Sequence, residues 1–199
     1  MRYEEIRDDL KDLDVILFQG KGLISTLIRW FCRLFGGKGR FSHVGVILVD
    51  EGRVMLFEST TLNGAKGVRL IPFSEVFEIY EGRVFVRRIK LYPPDFSDRH
   101  WLAICDYVAE NLNKPYEENL LELMASAVDN VEWYSKDNNS DMFCSELVAG
   151  LYQAVGLIPE WKHKNEYTPD DFSIGGQVDM DLRTNQDPAC LGEEIEVVK

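Results

Sequence analysis

His43 and Cys144 are the two side chains of this sequence best suited to covalent chemistry. His43 begins an apolar segment, 43–49, that predicts a buried strand, and Cys144 begins a segment whose apolar residues recur at helical spacing. A thiol near a helix N-terminus is readily ionised, and an imidazole can carry its proton. If the fold brings the two side chains together, they predict an enzyme with a cysteine nucleophile.

A carboxylate, Glu58, is predicted to face His43 across a hairpin. Glu51 and Gly52 suit a two-residue turn, because glycine accepts the positive φ needed there. With that turn as the register, His43, Gly45 and Glu58 lie on one face of the sheet, and Glu58 is the diagonal neighbour of His43 at roughly 7–8 Å between Cα atoms. We expect Glu58 to hold one imidazole nitrogen and leave the other for the thiol, whereas a slip of one residue would turn Glu58 to the other face.

The helix predicted over about 141–155 places Cys144 in its first turn, where Ser140 or Asp141 is a suitable N-cap. Its apolar stripe consists of Phe143, Leu147, Val148, Leu151 and Val155. Unpaired backbone N–H groups and the helix dipole favour an anion in this turn, which suits a thiolate paired with an imidazolium. The backbone N–H of Cys144 is a candidate oxyanion donor.

Each of these residues also has a structural interpretation. A cysteine near a helix start is often a small core residue, and a histidine at a strand start is often a hydrogen-bonded structural group. A carboxylate such as Glu58 is often solvated or paired within its hairpin. The catalytic interpretation depends on the combination, with His43 and Glu58 on one face.

The elements that must position these residues are those of one α+β domain spanning 1–199. The chain is 45% hydrophobic, which suffices for one sizeable core. Strands are predicted mainly in the first half, at 14–19, 43–49, 54–59, 68–71 and 84–91, with an edge strand at 195–198. Helices are predicted at about 3–13, 23–35, 97–112, 120–133 and 141–155, with a capped turn at 168–171. This order predicts a central antiparallel sheet, or half-barrel, packed against helices.

The charge distribution is uneven. A net charge of −12 argues against a nucleic-acid partner, yet the span 15–49 contains no acidic residue. Its basic residues are Lys21, Arg29, Arg33, Lys38 and Arg40. The helix in this span has Leu23, Leu27, Trp30, Phe31 and Leu34 on one side. The segment 21–40 could therefore make peripheral contact with a membrane or a cell-wall strand, although such helices more often pack their aromatic residues inward and solvate their arginines.

The spacing of the cysteines and the character of the first residues indicate the cellular compartment of the protein. The sequence has no C-x-x-C and no other pairing or metal-ligand spacing among Cys32, Cys105, Cys144 and Cys190. The first residues are charged and lack the apolar region of a signal peptide, and the aliphatic runs are too short to span a bilayer. We expect free thiols, a cytoplasmic protein without a transmembrane segment, and no metal site.

The segments around these residues resemble the circularly permuted papain-like hydrolases of the NlpC-type superfamily, and most closely its YiiX-like branch. The resemblance is carried by 14–24, 41–46, 57–59 and 143–148, with further likeness at 114–116 and 168–172. It extends over about 14–172. Papain-like enzymes ordinarily have the cysteine before the histidine, whereas here His43 precedes Cys144, as the permuted branch requires.

The resemblance implies a permuted papain-like fold and a Cys-His-Glu triad. Cys144 would be the nucleophile, His43 the general base and then acid, and Glu58 the residue that orients His43. Residues implied near the substrate groove are Tyr116, Gln19 and Ser42. The implied enzyme is a hydrolase of the amidase or peptidase type that acts through an acyl-enzyme, without a metal or organic cofactor. The expected substrate is a peptide, a peptidoglycan fragment or a lipid amide.

Two other functions stay open. One is a lipid acyltransferase or thioesterase that uses the same thiol. The lecithin–retinol acyltransferase relatives carry Asn-Cys-Glu-His at the nucleophile, where this chain has Phe-Cys-Ser-Glu at 143–146, so this role is less expected. The other is a binding protein that keeps the fold without turnover. An alanine at any triad position would have favoured it, and none is present.

Overall fold

An antiparallel sheet of six strands forms the centre of the computed structural model, which describes residues 1–34, 37–61, 65–91, 98–115, 142–184 and 189–199. In spatial order the strands are β4 (Gly67–Pro72), β3 (Arg53–Thr60), β2 (His43–Asp50), β1 (Val15–Gln19), β5 (Arg83–Arg87) and β8 (Ile195–Val197). A separate antiparallel pair joins β6 (Ile89–Leu91) and β7 (Ala189–Leu191). The α+β class is confirmed, and β8 is the edge strand expected near 195–198.

Helices pack on both faces of this sheet. They are α1 (Tyr3–Ile6), α2 (Leu23–Leu34), α3 (Phe73–Ile79), α4 (Asp98–Asn111), α5 (Cys144–Ala154) and α6 (Gln177–Thr184). The first helix is shorter than expected, because the chain passes into a 3-10 turn at Arg7–Asp9. The sequence did not predict α6, and the helix expected at 120–133 lies outside the described residues. In the described ranges, no helix is both long and apolar enough to cross a bilayer.

The hairpin of β2 and β3 has the register expected from its turn. Glu51 and Gly52 have φ values of 48° and 78°, as a type I′ turn requires. Asp50 pairs with Arg53, and the ladder continues in the same register as far as Val46 and Phe57. Because side chains alternate along each strand, this register brings the side chains of His43 and Glu58 to one face.

The sheet is buried on both faces, which explains the unbroken apolar run of β2. On one face, Val44 and Val46 join Leu147 and Leu151 of α5 in one core cluster. On the other face, residues from the sheet meet α3 and α1; they include Ile16, Phe18, Ile47, Leu56, Phe73 and Phe77. Alternate residues of each strand therefore belong to different clusters.

The start of α5 is fixed against the end of β3. The hydroxyl of Ser59 donates a hydrogen bond of 2.5 Å to the carbonyl of Met142. The N-cap is Phe143, not Ser140 or Asp141 as expected, and the Glu146 carboxylate accepts the N–H of Phe143 at 3.4 Å. An acceptor three residues into the helix thus supplies the capping contact. The helix begins later than predicted, yet Cys144 lies in its first turn.

The α2 helix contradicts one expectation. Leu23, Leu27 and Trp30 are 78%, 45% and 57% exposed. Cys32, on the opposite side of the helix, is buried. The expectation that the aromatic residues pack inward is therefore wrong for Trp30, because the small Cys32 side of the helix makes the contact with the body of the protein.

Candidate active site

His43 lies at the start of β2, buried and held from one side by a carboxylate. Its Nε2 is 2.6 Å from Oε2 of Glu58, which is itself fully buried in β3. The ring also packs against Phe18, with 5.1 Å between ring centroids. Because a carboxylate only accepts hydrogen bonds, the proton of this contact belongs on Nε2. Nδ1 is then the nitrogen that can serve a second partner.

Cys144 supplies that second partner. It is the first residue of α5, is buried, and its side chain makes a hydrogen bond with His43. The thiol comes to the histidine because α5 starts beside the end of β3, at the end of the sheet where β2 begins. The N–H groups of a first helical turn have no partner within the helix, so this position stabilises negative charge on sulfur or on a nearby oxygen.

The electrostatics of the pair favour a charged histidine. Burial by itself lowers the pKa of His43, but attraction to Cys144, the hydrogen bond with its sulfur, and the contact with Glu58 outweigh burial and raise the pKa to about 10. At neutral pH the imidazole therefore carries its proton. An imidazolium next to sulfur stabilises a thiolate, which is the nucleophilic form of cysteine.

A fourth residue, Arg69, completes the network. It lies opposite Glu58 on β4, and its Nε and Nη2 donate to Oε1 of Glu58 at 2.9 and 2.6 Å. Burial raises the pKa of Glu58, but the hydrogen bond and charge of His43, followed by those of Arg69, dominate and lower it. Glu58 thus stays ionised between two cationic partners. Sequence reasoning missed Arg69, for which the only signal is its register opposite Glu58.

The segment that leads into His43 is held by Asp170, another residue that sequence reasoning did not single out. Its Oδ2 accepts the N–H of Gly39 at 2.8 Å, and its Oδ1 accepts those of Arg40 and Phe41 at 2.8 and 3.2 Å. Gly39 has a φ of 64°, and a Cβ there would lie 2.5 Å from a backbone oxygen of α2. Both features fix the path of the chain just before the catalytic strand.

The three residues implied near the substrate groove have different surroundings. Gln19 donates from its amide to the carbonyl of Arg40 at 3.1 Å. The buried hydroxyl of Ser42 accepts the N–H of Gly20 at 3.2 Å and donates to the carbonyl of Phe18 at 3.4 Å. Gln19 is thus bound to the backbone just before His43, and Ser42, next to His43, is bound to the backbone at the end of β1. Tyr116 lies outside the described residues.

A histidine at the start of a sheet strand, with a later cysteine at a helix N-terminus, defines a papain-like hydrolase with permuted chain order. A family model described as permuted papain-like amidase enzyme, YaeF/YiiX, C92 family, matches residues 14–178. The match covers most of the chain, so this protein belongs to that family and is an enzyme of the amidase or cysteine-peptidase type. The YiiX-like resemblance over 14–172 is confirmed.

A solved structure supports the fold assignment. The chain is similar to the metalloprotein YiiX from Escherichia coli O157:H7, with a TM-score of 0.52 and 15% sequence identity, over 96% of this chain and 97% of that one. At this identity the likeness shows the fold. Comparison with curated proteins gives no match.

Within the described ranges, no group of three or more His, Cys, Asp or Glu side chains is arranged to hold a metal ion. At the site, both oxygens of Glu58 and Nε2 of His43 already have protein partners.

Proposed function

We propose that this enzyme hydrolyses acyl amides by nucleophilic catalysis, with Cys144, His43 and Glu58 as its triad. The observation that supports this proposal best is the position of His43 between two partners. Its Nε2 contacts Glu58, and its ring makes a second side-chain hydrogen bond with Cys144. The substrate class is a peptide, a cell-wall fragment or a lipid amide.

The first half of the reaction forms an acyl-enzyme. The Cys144 thiolate attacks the amide carbonyl carbon, and the electron pair of the C=O bond moves to oxygen. The N–H of Cys144, at the N-terminus of α5, donates to that oxyanion in this mechanism. As the C–N bond breaks, the imidazolium of His43 gives its Nδ1 proton to the leaving nitrogen, which departs as a neutral amine.

The second half releases the acid. His43, now neutral, takes a proton from water while the water oxygen attacks the thioester carbonyl. The C–S bond then breaks, which returns the thiolate and leaves the acyl group as a carboxylic acid. The Glu58 contact keeps the ring in one orientation through both steps, because Nε2 remains bound while Nδ1 loses and regains its proton.

The test is the pH dependence of alkylation of each cysteine by iodoacetamide, read by mass spectrometry. We expect Cys144 to react fast near pH 6, because an imidazolium beside a cysteine favours attack by its sulfur. Cys32 is an internal control, since burial, followed by the charge of Asp170, raises its pKa to about 12. Cys105 is an exposed control with ordinary access to the reagent.

Two histidine variants distinguish loss of the triad from a general effect of replacing a histidine. His43→Ala should abolish the advantage of Cys144 at pH 6 and lower hydrolysis of a short acyl amide by roughly 10²–10⁴-fold, the usual contribution of a general base. His163→Ala, at an exposed histidine, should change neither. If Cys144 reacts no faster than Cys105 in the wild type, the triad proposal fails and a binding role on this fold takes its place.

A further inference from the structure

The α2 helix carries an apolar surface that faces solvent. Leu23, Leu27 and Trp30 are spaced so that they form one stripe, and all three are exposed. A helix that turns an apolar stripe outward and also packs its other side against the protein has two contact surfaces. The first is occupied by the body of the protein. The second, the exposed stripe, is available to bind something outside the described part of the protein.

The charges around this stripe indicate what the partner is. In a chain of net charge −12, the span 15–49 has five basic residues and no acidic one. Arg29 and Arg33 belong to α2 itself, and Lys21 lies just before it. Arg40 pairs with Glu194, which compensates its charge, whereas the ammonium of Lys38 contacts only the neutral carbonyl of Ile174. The surplus is therefore carried by the two arginines of α2 together with Lys21 and Lys38, on either side of it. Exposed aliphatic and Trp side chains combined with arginine and lysine match an anionic lipid surface.

The position of α2 connects this surface to the active site. At the start of the helix, the N–H of Gly20 is bound by Ser42, the residue before His43. At its end, the N–H of Gly37 donates to the carbonyl of Cys32 at 2.9 Å, and the chain then enters the segment held by Asp170. The chain just before α2 and the chain just after it are therefore both held close to the start of β2. A surface that seats the outer side of α2 is adjacent to the site.

We propose that the stripe of Leu23, Leu27 and Trp30 docks on an anionic bilayer, and that the enzyme takes its acyl amide from an amphiphile in that bilayer. The second half rests on the proposed function and names its substrate class. The first half stands on the helix alone. A helix of this kind lies in the plane of the interface with its apolar side among the acyl chains, and its basic residues meet the headgroups.

Flotation with vesicles tests the docking without any substrate. Vesicles of phosphatidylglycerol and phosphatidylcholine should bind the full-length protein, and vesicles of phosphatidylcholine alone should bind it much less. Binding should fall as salt rises, because the attraction to the headgroups is screened. Arg33→Gln should weaken binding to the anionic vesicles by about fivefold, the usual contribution of one basic residue near such a surface.

The apolar contribution has a matched control. Trp30→Ala should weaken binding by at least about tenfold, since it removes a large side chain from the interface. Trp161→Ala removes another exposed tryptophan, outside α2, and should leave binding unchanged. Both are surface residues, so both variants should fold. Equal effects of the two variants, or no flotation of the wild type, overturn the proposal. So does a wild-type dimer that Trp30→Ala converts to a monomer, because the stripe would then be an interface between copies.

The wild type and Trp30→Ala also distinguish a failure of the docking proposal from a failure of the proposed function. In Trp30→Ala, alkylation of Cys144 and turnover of a short soluble acyl amide should match the wild type. Turnover of a long-chain acyl amide in anionic vesicles should drop in parallel with binding. If Cys144 lacks enhanced reactivity while flotation depends on Trp30, the docking stands and the substrate assignment falls. If soluble and vesicle-borne amides respond to Trp30→Ala equally, the substrate assignment is wrong.

Discussion

Glu58 divides its two carboxylate oxygens between two partners, His43 and Arg69. One oxygen fixes the tautomer and orientation of the imidazole, and the other is held by a guanidinium on the next strand. A buried carboxylate needs such partners, because an isolated charge in the interior costs several kcal/mol or more. Arg69 therefore acts through Glu58 as a positioning residue and has no direct contact with the thiol in this scheme.

Replacing Arg69 should change the pH profile as well as the rate. Arg69→Gln removes charge-assisted hydrogen bonds of about 1.5–3 kcal/mol, so kcat/KM should fall roughly tenfold to a hundredfold. Because Arg69 helps to lower the pKa of Glu58, its loss should raise that pKa and move the acid limb of activity to higher pH. Measuring kcat/KM against pH checks both effects.

Arg69→Lys keeps the charge and should move the acid limb less than Arg69→Gln does. Arg53→Gln, at an exposed arginine of β3, provides the control and should leave the profile in place. A uniform loss of rate in Arg69→Gln, with the acid limb unmoved, would assign Arg69 a purely structural role.

The residues of the site differ in how far the sequence can predict them. The relation of His43 to Glu58 follows from the two-residue turn at 51–52, which leaves only one register. Arg69 follows no such rule, because six residues separate β3 from β4 and a connection of that length does not fix a register. Asp170 lies 130 residues from Arg40, whose N–H it accepts, and no local pattern connects them. Local turns thus predict half of the site, and long-range packing supplies the rest.

At the scale of elements, Asp14 joins the start of β1 to its neighbours. Its Oδ2 accepts the N–H of Lys11 at 3.0 Å, and its Oδ1 accepts that of Ile89, at the start of β6, at 2.9 Å. Burial outweighs these hydrogen bonds and raises the pKa of Asp14 to about 6. The folded protein therefore binds this proton more tightly than the unfolded chain does.

This difference predicts a pH dependence of stability. The contribution of Asp14 is most favourable well below pH 4, where the group is protonated in both states, and it is lost as pH rises from about 4 through 6. From pH 4 to 7 the wild type should lose about 2 kcal/mol relative to Asp14→Asn, which cannot ionise. Urea unfolding of both proteins at several pH values measures the difference. If the free energies of unfolding of the wild type and Asp14→Asn change equally with pH, the prediction is contradicted. As a control, Asp8→Asn, at an exposed position, should show the same pH dependence as the wild type.

The two amphipathic helices α5 and α2 show that hydrophobic periodicity alone does not predict which apolar stripe is buried. The apolar stripe of α5 predicted its burial correctly, because an apolar face on a helix that crosses a sheet has only the sheet to cover it. The stripe of α2 is equally clear in the sequence but faces solvent. Hydrophobic periodicity gives the direction of an apolar side relative to its own helix, and it does not say whether the protein or another surface covers that side.

At the scale of the whole molecule, a buried arginine connects the last third of the chain to the sheet. Arg87, in β5, donates to the carbonyls of Phe172, Leu191 and Gly192. Its guanidinium also pairs with the carboxylate of Asp179 in α6, at 2.9 Å. One side chain thus joins the 3-10 turn Pro169–Phe172, α6 and the strand region near 189–192 to the central sheet.

Removing this arginine should destabilise the whole fold. Arg87→Leu leaves Asp179 and three carbonyls without their donor, and breaking a buried pair in this way costs about 3–5 kcal/mol. The melting temperature, with urea unfolding for the free energy, checks the loss. Arg83→Leu, on the same strand, breaks an exposed pair with Glu196 and should change stability little. If the two variants melt alike, the role of Arg87 as a connector is wrong.

The order of His43 and Cys144 along the chain also has a consequence in time. The histidine and its carboxylate meet within one hairpin, through contacts between residues 15 positions apart, so the base can be prepared as soon as that hairpin forms. The nucleophile is made later: at typical rates of synthesis, Cys144 leaves the ribosome roughly ten seconds after His43. Until α5 packs against the sheet, His43 and Glu58 can be in contact while the thiol of Cys144 is still away from them. In the proposed triad, permuted order thus makes the thiol the last of the three side chains to be synthesised.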